Sequence, residues 1–315
     1  MRRRHLLALS PALAAPLLTR QARADAPPEP SPANAPLPRV SAGRVERWSR
    51  VASRHVDARH VDVWLPDGYD GRKPHAVLYM HDGQMLFDAA TTWNHQAWNV
   101  HEALTRLARA GRIRDTLVVG IWNNGAYRHS EYFPQAWLPG LPEAMGQRFL
   151  ADALRGKAQS DAYLRFIVEE LKPAIDARYA TRPEREHCLL MGSSMGGLIS
   201  TYGLCQHPET FGGAAGLSTH WVGSFQPNAA IPLAAFNYLR ARLPDPATHR
   251  LYQDRGSIEL DALYAPYQTL VDNLVRERGY VDGRNYQSLV FEGKGHSENA
   301  WAQRLETPLA FLLQA

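Results

Sequence analysis

Past residue 43 the hydrophobic positions fall into two patterns that alternate along the chain. One is the short, largely apolar run, at 76–80, 116–122, 187–191, 213–217, 251–253 and 286–291. A strand covered on one face alternates apolar with polar residues, whereas a strand covered on both faces stays apolar throughout. These six runs are therefore predicted to be parallel strands inside a sheet. The other pattern is helical spacing, at 100–109, 162–178, 198–206, 266–278 and 300–313. Ahead of both, 45–56 and 60–65 read as an antiparallel hairpin, ended by Pro66-Asp67-Gly68. Strands alternating with helices predict an α/β fold, with about eight mostly parallel strands and helices on both faces of the sheet. The stretches 123–160 and 219–248 break the alternation and are rich in Trp, Tyr, Pro and Gly. They are predicted to be long loops at or near the carboxyl ends of strands, where open α/β sheets bind ligands.

The first 42 residues follow neither pattern. Arg2, Arg3 and Arg4 precede an apolar run from Leu6 to Leu18, and Ala22-Arg23-Ala24 is a small-x-small cleavage site before Asp25. Residues 1–24 thus read as a signal peptide, with arginines that resemble a twin-arginine signal. The apolar run is shorter than the ~20 residues that a membrane span needs, so no span is expected after cleavage. The reading implies export, to a periplasm or beyond. Residues 25–42, rich in Pro and Ala, are predicted to be an extended or disordered linker, and 43–315 a single domain.

Composition changes this picture in one respect. The 315 residues are 45% hydrophobic, enough for a large core. The net charge of +4 and pI near 9.1 invite a nucleic-acid partner. Yet five of the 35 basic residues, and none of the 31 acidic ones, lie in residues 1–24. The remainder carries 30 basic against 31 acidic residues, which removes the reason to expect nucleic acid. The two cysteines, Cys188 and Cys205, sit in apolar contexts and are expected to be buried thiols.

The chemistry concentrates in three motifs. Gly192-Ser193-Ser194-Met195-Gly196-Gly197 follows an apolar strand and precedes an apolar helix, which is the context that G-x-S-x-G requires. It puts Ser194 on a sharp strand-to-helix turn, where side chains two residues to either side are expected to collide. A serine hydroxyl is a weak nucleophile near neutral pH and needs a general base. In this arrangement the partners follow in the order serine, acid, histidine. His296, in Gly293-Lys294-Gly295-His296-Ser297 after the last strand, is the best-placed base; His220 is its rival, and His207 and His249 lie in less suitable places. The acid must come from 254–261, with Asp261 favoured over Glu259 because it sits just before the helix. Asp254 ranks lower because it would lie within the strand. Two backbone N–H groups are needed for an oxyanion. Met195 supplies one, and Gln84, in Tyr79-Met80-His81-Asp82-Gly83-Gln84, is the candidate for the other. His81 and Asp82 lack a third ligand at useful spacing, so they are expected to shape this loop and not to bind metal.

The segments His81-Asp82-Gly83-Gln84-Met85-Leu86-Phe87-Asp88, Gly192-Ser193-Ser194-Met195-Gly196-Gly197 and Gly295-His296-Ser297 together resemble the putative esterase family of α/β-hydrolases. That family includes enterochelin-esterase-like and feruloyl-esterase-like enzymes, with the antigen 85 mycolyltransferases as structural relatives. The resemblance implies an α/β-hydrolase fold, Ser194 as nucleophile, His296 as base and Gln84 as an oxyanion donor. The family's acid often follows a Gly-Thr turn; here the turn is Gly256-Ser257, and Asp261, Glu259 and Asp254 all stay open. Asn123, Arg128, Glu131 and Tyr132 resemble a family loop beside the active site, which implies that they shape the substrate pocket. Its members take siderophore lactones, aromatic esters, acyl glutathione and acyl sugars, so the resemblance implies a reaction class and not a substrate.

Ester hydrolysis through an acyl-enzyme on Ser194 is the leading expectation, on a small-molecule or carbohydrate-linked ester. It needs no cofactor or metal, because side chains and backbone amides suffice. Acyl transfer to a sugar or other alcohol would use the same acyl-enzyme. A third reading is a non-catalytic carbohydrate- or siderophore-binding protein, with Trp93, Trp98, Trp122, Trp137, Trp221 and Tyr127 as stacking surfaces.

Overall fold

A computed structural model describes residues 31–224 and 228–314. The expected signal peptide and residues 25–30 lie outside the described residues. The strands are β1 (Arg44–Val51), β2 (Arg59–Leu65), β3 (Ala76–His81), β4 (Thr116–Ile121), β5 (Cys188–Ser193), β6 (Gly213–Leu217), β7 (Arg250–Gly256) and β8 (Tyr286–Phe291). They form one sheet in the order β1-β2-β4-β3-β5-β6-β7-β8. β2 is antiparallel to both neighbours, β1 and β4, and every pairing from β4 to β8 is parallel. The mostly parallel eight-stranded sheet is as expected, with β2 the single reversed strand.

Among the described residues the helices are α1 (Val100–Arg109), α2 (Arg128–Tyr132), α3 (Glu143–Asp152), α4 (Ser160–Arg165), α5 (Lys172–Arg178), α6 (Met195–Gln206), α7 (Ala230–Arg242), α8 (Ala265–Glu277), α9 (Glu298–Ala302) and α10 (Glu306–Leu313). Alternate strand residues feed opposite faces, and each face has its own apolar cluster. Val77, Tyr79, Val119 and Leu190 pack with Leu164, Ile175, Leu198 and Val271 from α4, α5, α6 and α8. Leu78, Met80, Val118 and Met191 pack with Leu104, Leu107, Leu309 and Leu312 from α1 and α10. This is the α/β-hydrolase architecture, with helices on both faces. Cys188 and Cys205 are free and buried.

Two predicted helices are broken, each by a proline. The segment expected at 162–178 is α4, then one π-turn over Phe166–Leu171, then α5. Pro173 has no N–H for the carbonyl of Glu169, so the helix widens there. The segment expected at 300–313 divides into α9 and α10, because Pro308 cannot donate to the carbonyl of Arg304. The two predicted long loops are shorter than expected because they contain α2 and α3 in one and α7 in the other. Residues 31–42, the described part of the predicted linker, are held against β1 and β2. Ser31 Oγ accepts from His60 N–H at 3.0 Å, and Arg47 Nη1 donates to the carbonyls of Ala35 and Pro36.

Candidate active site

β5 ends at Ser193 and α6 begins at Met195, so Ser194 alone turns the chain. Its backbone sits at φ 55°, ψ −121°, a strained conformation for a residue with a Cβ. The turn is pinned to β6: Ser194 N–H donates to Leu217 O at 2.9 Å, and His220 N–H donates to Ser194 O at 3.2 Å. Glycine is required at 192, where a Cβ would lie 2.7 Å from the Gly196 backbone. Gly196 itself is not crowded in the same way. A Cβ there would meet Asp82 and His81 only at an ordinary 3.5 Å. The crowded partner is instead Gly197, whose Cβ would stand 2.6 Å from Thr219 Oγ1.

His296 and Asp261 come together from the loops after β8 and β7. His296 Nδ1 lies 2.6 Å from Asp261 Oδ1. An ionised carboxylate only accepts, so Nδ1 carries the ring proton and Nε2 is left as the basic nitrogen. Asp261 is fully buried and receives two further hydrogen bonds at Oδ2, from Ser218 Oγ at 2.5 Å and Gly256 N–H at 2.6 Å. Burial alone would raise its pKa, but the bonds from His296, Ser218 and Gly256 outweigh it and hold the carboxyl below its ordinary range. The imidazole is wedged edge-on between Tyr264 and Trp301, at centroid distances of 5.9 and 5.0 Å.

The two competing carboxylates have other partners. Asp254 lies within β7 and is bonded to Arg304, whose Nη2 reaches it at 3.0 Å. Glu259, at φ 56°, accepts from the backbone N–H of His296 at 3.1 Å. Its carboxylate occupies the space where a Cβ on Gly295 would go, so it shapes the turn that presents the histidine. The rival base, His220, has both ring nitrogens engaged, with Tyr264 Oη at 2.7 Å and Ser224 O at 3.1 Å. Burial, with the neighbouring charges of His296 and His129, pushes its pKa down to about 4.

Ser194 and His296 line one cavity of about 450 Å³, together with Asp82, Asn123, Arg128 and Trp98. Met195 opens α6, and Gln84 lies in a 3-10 turn over Gly83–Met85, so neither N–H has an acceptor within its own helical turn. Gly83 lets that turn press on β4, since a Cβ there would lie 2.5 Å from the Gly120 backbone. Gln84 Oε1 accepts from Asn123 N–H at 3.2 Å, which joins the turn to the loop after β4.

Of the four residues expected to shape the pocket, two line it and two do not. Asn123 and Arg128 face the cavity. Both bond to Asp82: Asn123 Nδ2 at 2.7 Å, and Arg128 through Nε and Nη2 at 2.7 and 2.8 Å. Burial would raise the Asp82 pKa, but Arg128 outweighs it and keeps the carboxyl low. Asp82 thus orders this loop, as expected. Glu131, by contrast, is fully buried and makes a bidentate pair with buried Arg59 at 2.6 and 2.7 Å. Tyr132 is also fully buried; its hydroxyl accepts from Asp82 N–H at 3.1 Å, and its ring lies under Arg128. Both hold the loop from behind, because α2 turns only one side of 128–132 toward the cavity. His81 is buried beside Tyr163 Oη, 2.8 Å from Nδ1, and burial drives its pKa down to about 3.

Tyr264, Ser218, Arg304 and Trp301 were not singled out from the sequence. Their only signal was position, since Ser218 follows β6 directly and Trp301 and Arg304 follow His296 by a turn or two. Among the described residues no group of three or more His, Cys, Asp or Glu side chains is placed to hold a metal ion. No helix among them is long and apolar enough to cross a membrane.

Residues 53–312 match the model of the family described as Putative esterase. The chain belongs to that family. Similar folds occur in a ferulic acid esterase (TM-score 0.63, 19% identity, 86% of this chain and 98% of that one). The enterobactin esterase FES from Shigella flexneri aligns with TM-score 0.59 and 18% identity, over 88% of this chain and 61% of that one. An IroE-like serine hydrolase from Shewanella oneidensis aligns with TM-score 0.63 and 17% identity, over 85% and 79%. At these identities the likeness speaks for the fold. No curated protein matches the chain. Membership makes the protein an esterase-family hydrolase.

Proposed function

We propose that the protein is a serine esterase that cleaves a small-molecule or carbohydrate-linked carboxylic ester through an acyl-enzyme on Ser194. The observation that carries this reading is the shared cavity, with Ser194 on its strained turn and His296 held by Asp261 at 2.6 Å. Ser194 Oγ attacks the ester carbonyl while its proton passes to His296 Nε2. Asp261 holds the ring in the required tautomer and stabilises the imidazolium that forms. The oxyanion is received by the N–H groups of Met195 and Gln84, at the positive end of α6 and in the turn after β3. His296 returns the proton to the leaving alcohol, then activates water to release the acid. Asn123 and Arg128 are proposed to contact the substrate.

Hydrolysis of p-nitrophenyl acetate by the mature protein tests the reading. Ser194→Ala and His296→Ala should each lower kcat by roughly 10³ or more. Undiminished turnover in both variants would exclude it. We also propose export with removal of residues 1–24, supported by the basic, apolar and small-x-small succession at the N-terminus. N-terminal sequencing of protein recovered outside the cytoplasm should begin at Asp25, and an intact N-terminus there would refute the cleavage.

A further inference from the structure

At the end of the sheet opposite Ser194, five arginines that are scattered in sequence come together. Arg114 precedes β4, Arg182 and Arg185 precede β5, Arg250 opens β7 and Arg284 precedes β8. Arg114, Arg185, Arg250 and Arg284 line a cleft of about 400 Å³, whose lining includes one carboxylate, Glu186. None of the five arginines makes an ion pair among the described residues, whereas Arg47, Arg59, Arg128 and Arg304 each do.

Two of these arginines have a structural task. Arg114 donates to the carbonyls of Leu313, Gln314 and Glu186, and Arg250 Nη1 to that of Phe311. The contacts to Phe311, Leu313 and Gln314 satisfy acceptors at the end of α10, which a helix leaves unpaired, and the one to Glu186 ties that end to the turn before β5. A carbonyl does not cancel a unit charge, however, so the cleft stays positive. Burial lowers the Arg114 pKa, and the charges of Arg250 and Arg182 lower it further. Arg185 and Arg284 have no such task. Among the described residues, Arg185 Nε is buried without a hydrogen-bond partner and the Arg284 side chain bonds to none.

We propose that this cleft is a binding site for a polyanion bearing several linked phosphate-type oxyanions, separate from the ester-cleaving cavity. Guanidinium groups present paired N–H donors that match two oxygens of one phosphate. Four of them lining one open cleft suit a ligand with more than one such group, and the cleft has room for it. A monocarboxylate would bring one charge against four. The ester-cleaving reading is not needed for this inference, because the cleft shares no lining residue with the cavity of Ser194.

Isothermal titration of the whole protein with tripolyphosphate tests the proposal, with sodium sulfate and sodium chloride at matched ionic strength beside it. Tripolyphosphate should bind at least about tenfold more tightly than sulfate. Arg185→Ala combined with Arg284→Ala should weaken it by roughly tenfold or more, since each removes charge-assisted hydrogen bonds. Hydrolysis of p-nitrophenyl acetate should stay within about twofold, as neither residue approaches Ser194. Arg284→Ala alone, at an exposed position, gives the same direction of effect if the half-buried Arg185 proves necessary for folding. Unchanged tripolyphosphate affinity in the variants, or equal heats from chloride, would overturn the proposal and leave only salt screening of crowded charges.

Discussion

Replacing Arg304 by methionine should destabilise the protein by an amount that depends on pH. Arg304 is 3% exposed and Asp254 is fully buried. The arginine reaches Asp254 through Nε at 3.3 Å and Nη2 at 3.0 Å, and Nη2 also donates to Ser218 Oγ at 2.8 Å. Removing one member of a buried pair costs about 3–5 kcal/mol, because the other charge is stranded. Asp254 would keep two neutral donors, Tyr252 Oη at 3.0 Å and Ser218 N–H at 3.2 Å, so the expected cost is near the lower end, about 3 kcal/mol. For a domain of this size that lowers Tm by roughly 6–12 °C.

The pH dependence follows from the sign of the Asp254 shift. Burial already holds this carboxyl above its ordinary range, against the opposing pull of Arg304. Without the arginine it rises further. A folded pKa above the unfolded value means that the native state binds the proton more readily, so stability increases as pH falls toward the unfolded pKa. The penalty should therefore shrink between pH 8 and pH 5. Urea unfolding of the wild type, Arg304→Met, Asp254→Asn and the double variant at both pH values measures it; groups away from Arg304 cancel in the differences, and the loss felt by Asp261, 3.7 Å from Arg304 Nη2, is common to both variants that lack the arginine. The double variant should be more stable than the sum of the singles predicts, by about 2 kcal/mol. A penalty below about 1 kcal/mol, or one equal at both pH values, would refute the reasoning.

Asp261→Asn should lower kcat by roughly 10²–10⁴ by disturbing the His296 tautomer. Glu259→Gln, whose carboxylate bonds the His296 backbone and not its ring, should cost less than about tenfold, and the reverse ranking in p-nitrophenyl acetate kinetics would move the acid's role to Glu259. The His81 pKa of about 3 makes a separate prediction. The unfolded chain gains this proton below about pH 6.5 and the folded one does not, so stability is full above that and is lost as pH falls toward 3. Between pH 6.5 and 5 its share is about 2 kcal/mol at 1.36 kcal/mol per unit. His81→Gln should lose correspondingly less stability across that interval, and parallel wild-type and variant curves would refute the assignment.

Much of the fold was legible because its signals are local. A strand covered on both faces must be apolar throughout, and an elbow must carry glycine where backbone approaches backbone. Five of the six runs are buried as expected and, with Gly192-Ser193-Ser194, announced themselves in order along the chain; the sixth, β8, closes the edge of the sheet and is only partly buried, with Val290 45% exposed. That Ser194 and His296 would lie at the same end of the sheet, where they line one cavity, was legible for the same reason, each following a recognisable strand. The broken helices were less so, since Pro173 and Pro308 lie within segments whose apolar spacing continues undisturbed.

What the tertiary structure decided is which polar groups meet. Three carboxylates within eight residues could each have served the histidine; β7 extends far enough to bury Asp254 against Arg304, and only Asp261 reaches Nδ1. Glu131 and Tyr132 look like pocket residues in sequence, but a short helix exposes one side, and theirs is the inner one. The arginine cleft left no trace in composition, because a nearly neutral chain with dispersed arginines gives no basic run. Hydrophobic patterning is read from neighbours along the chain. Electrostatic and hydrogen-bonding partners are set by distances of a few ångströms across strand ends, between residues tens or hundreds of positions apart.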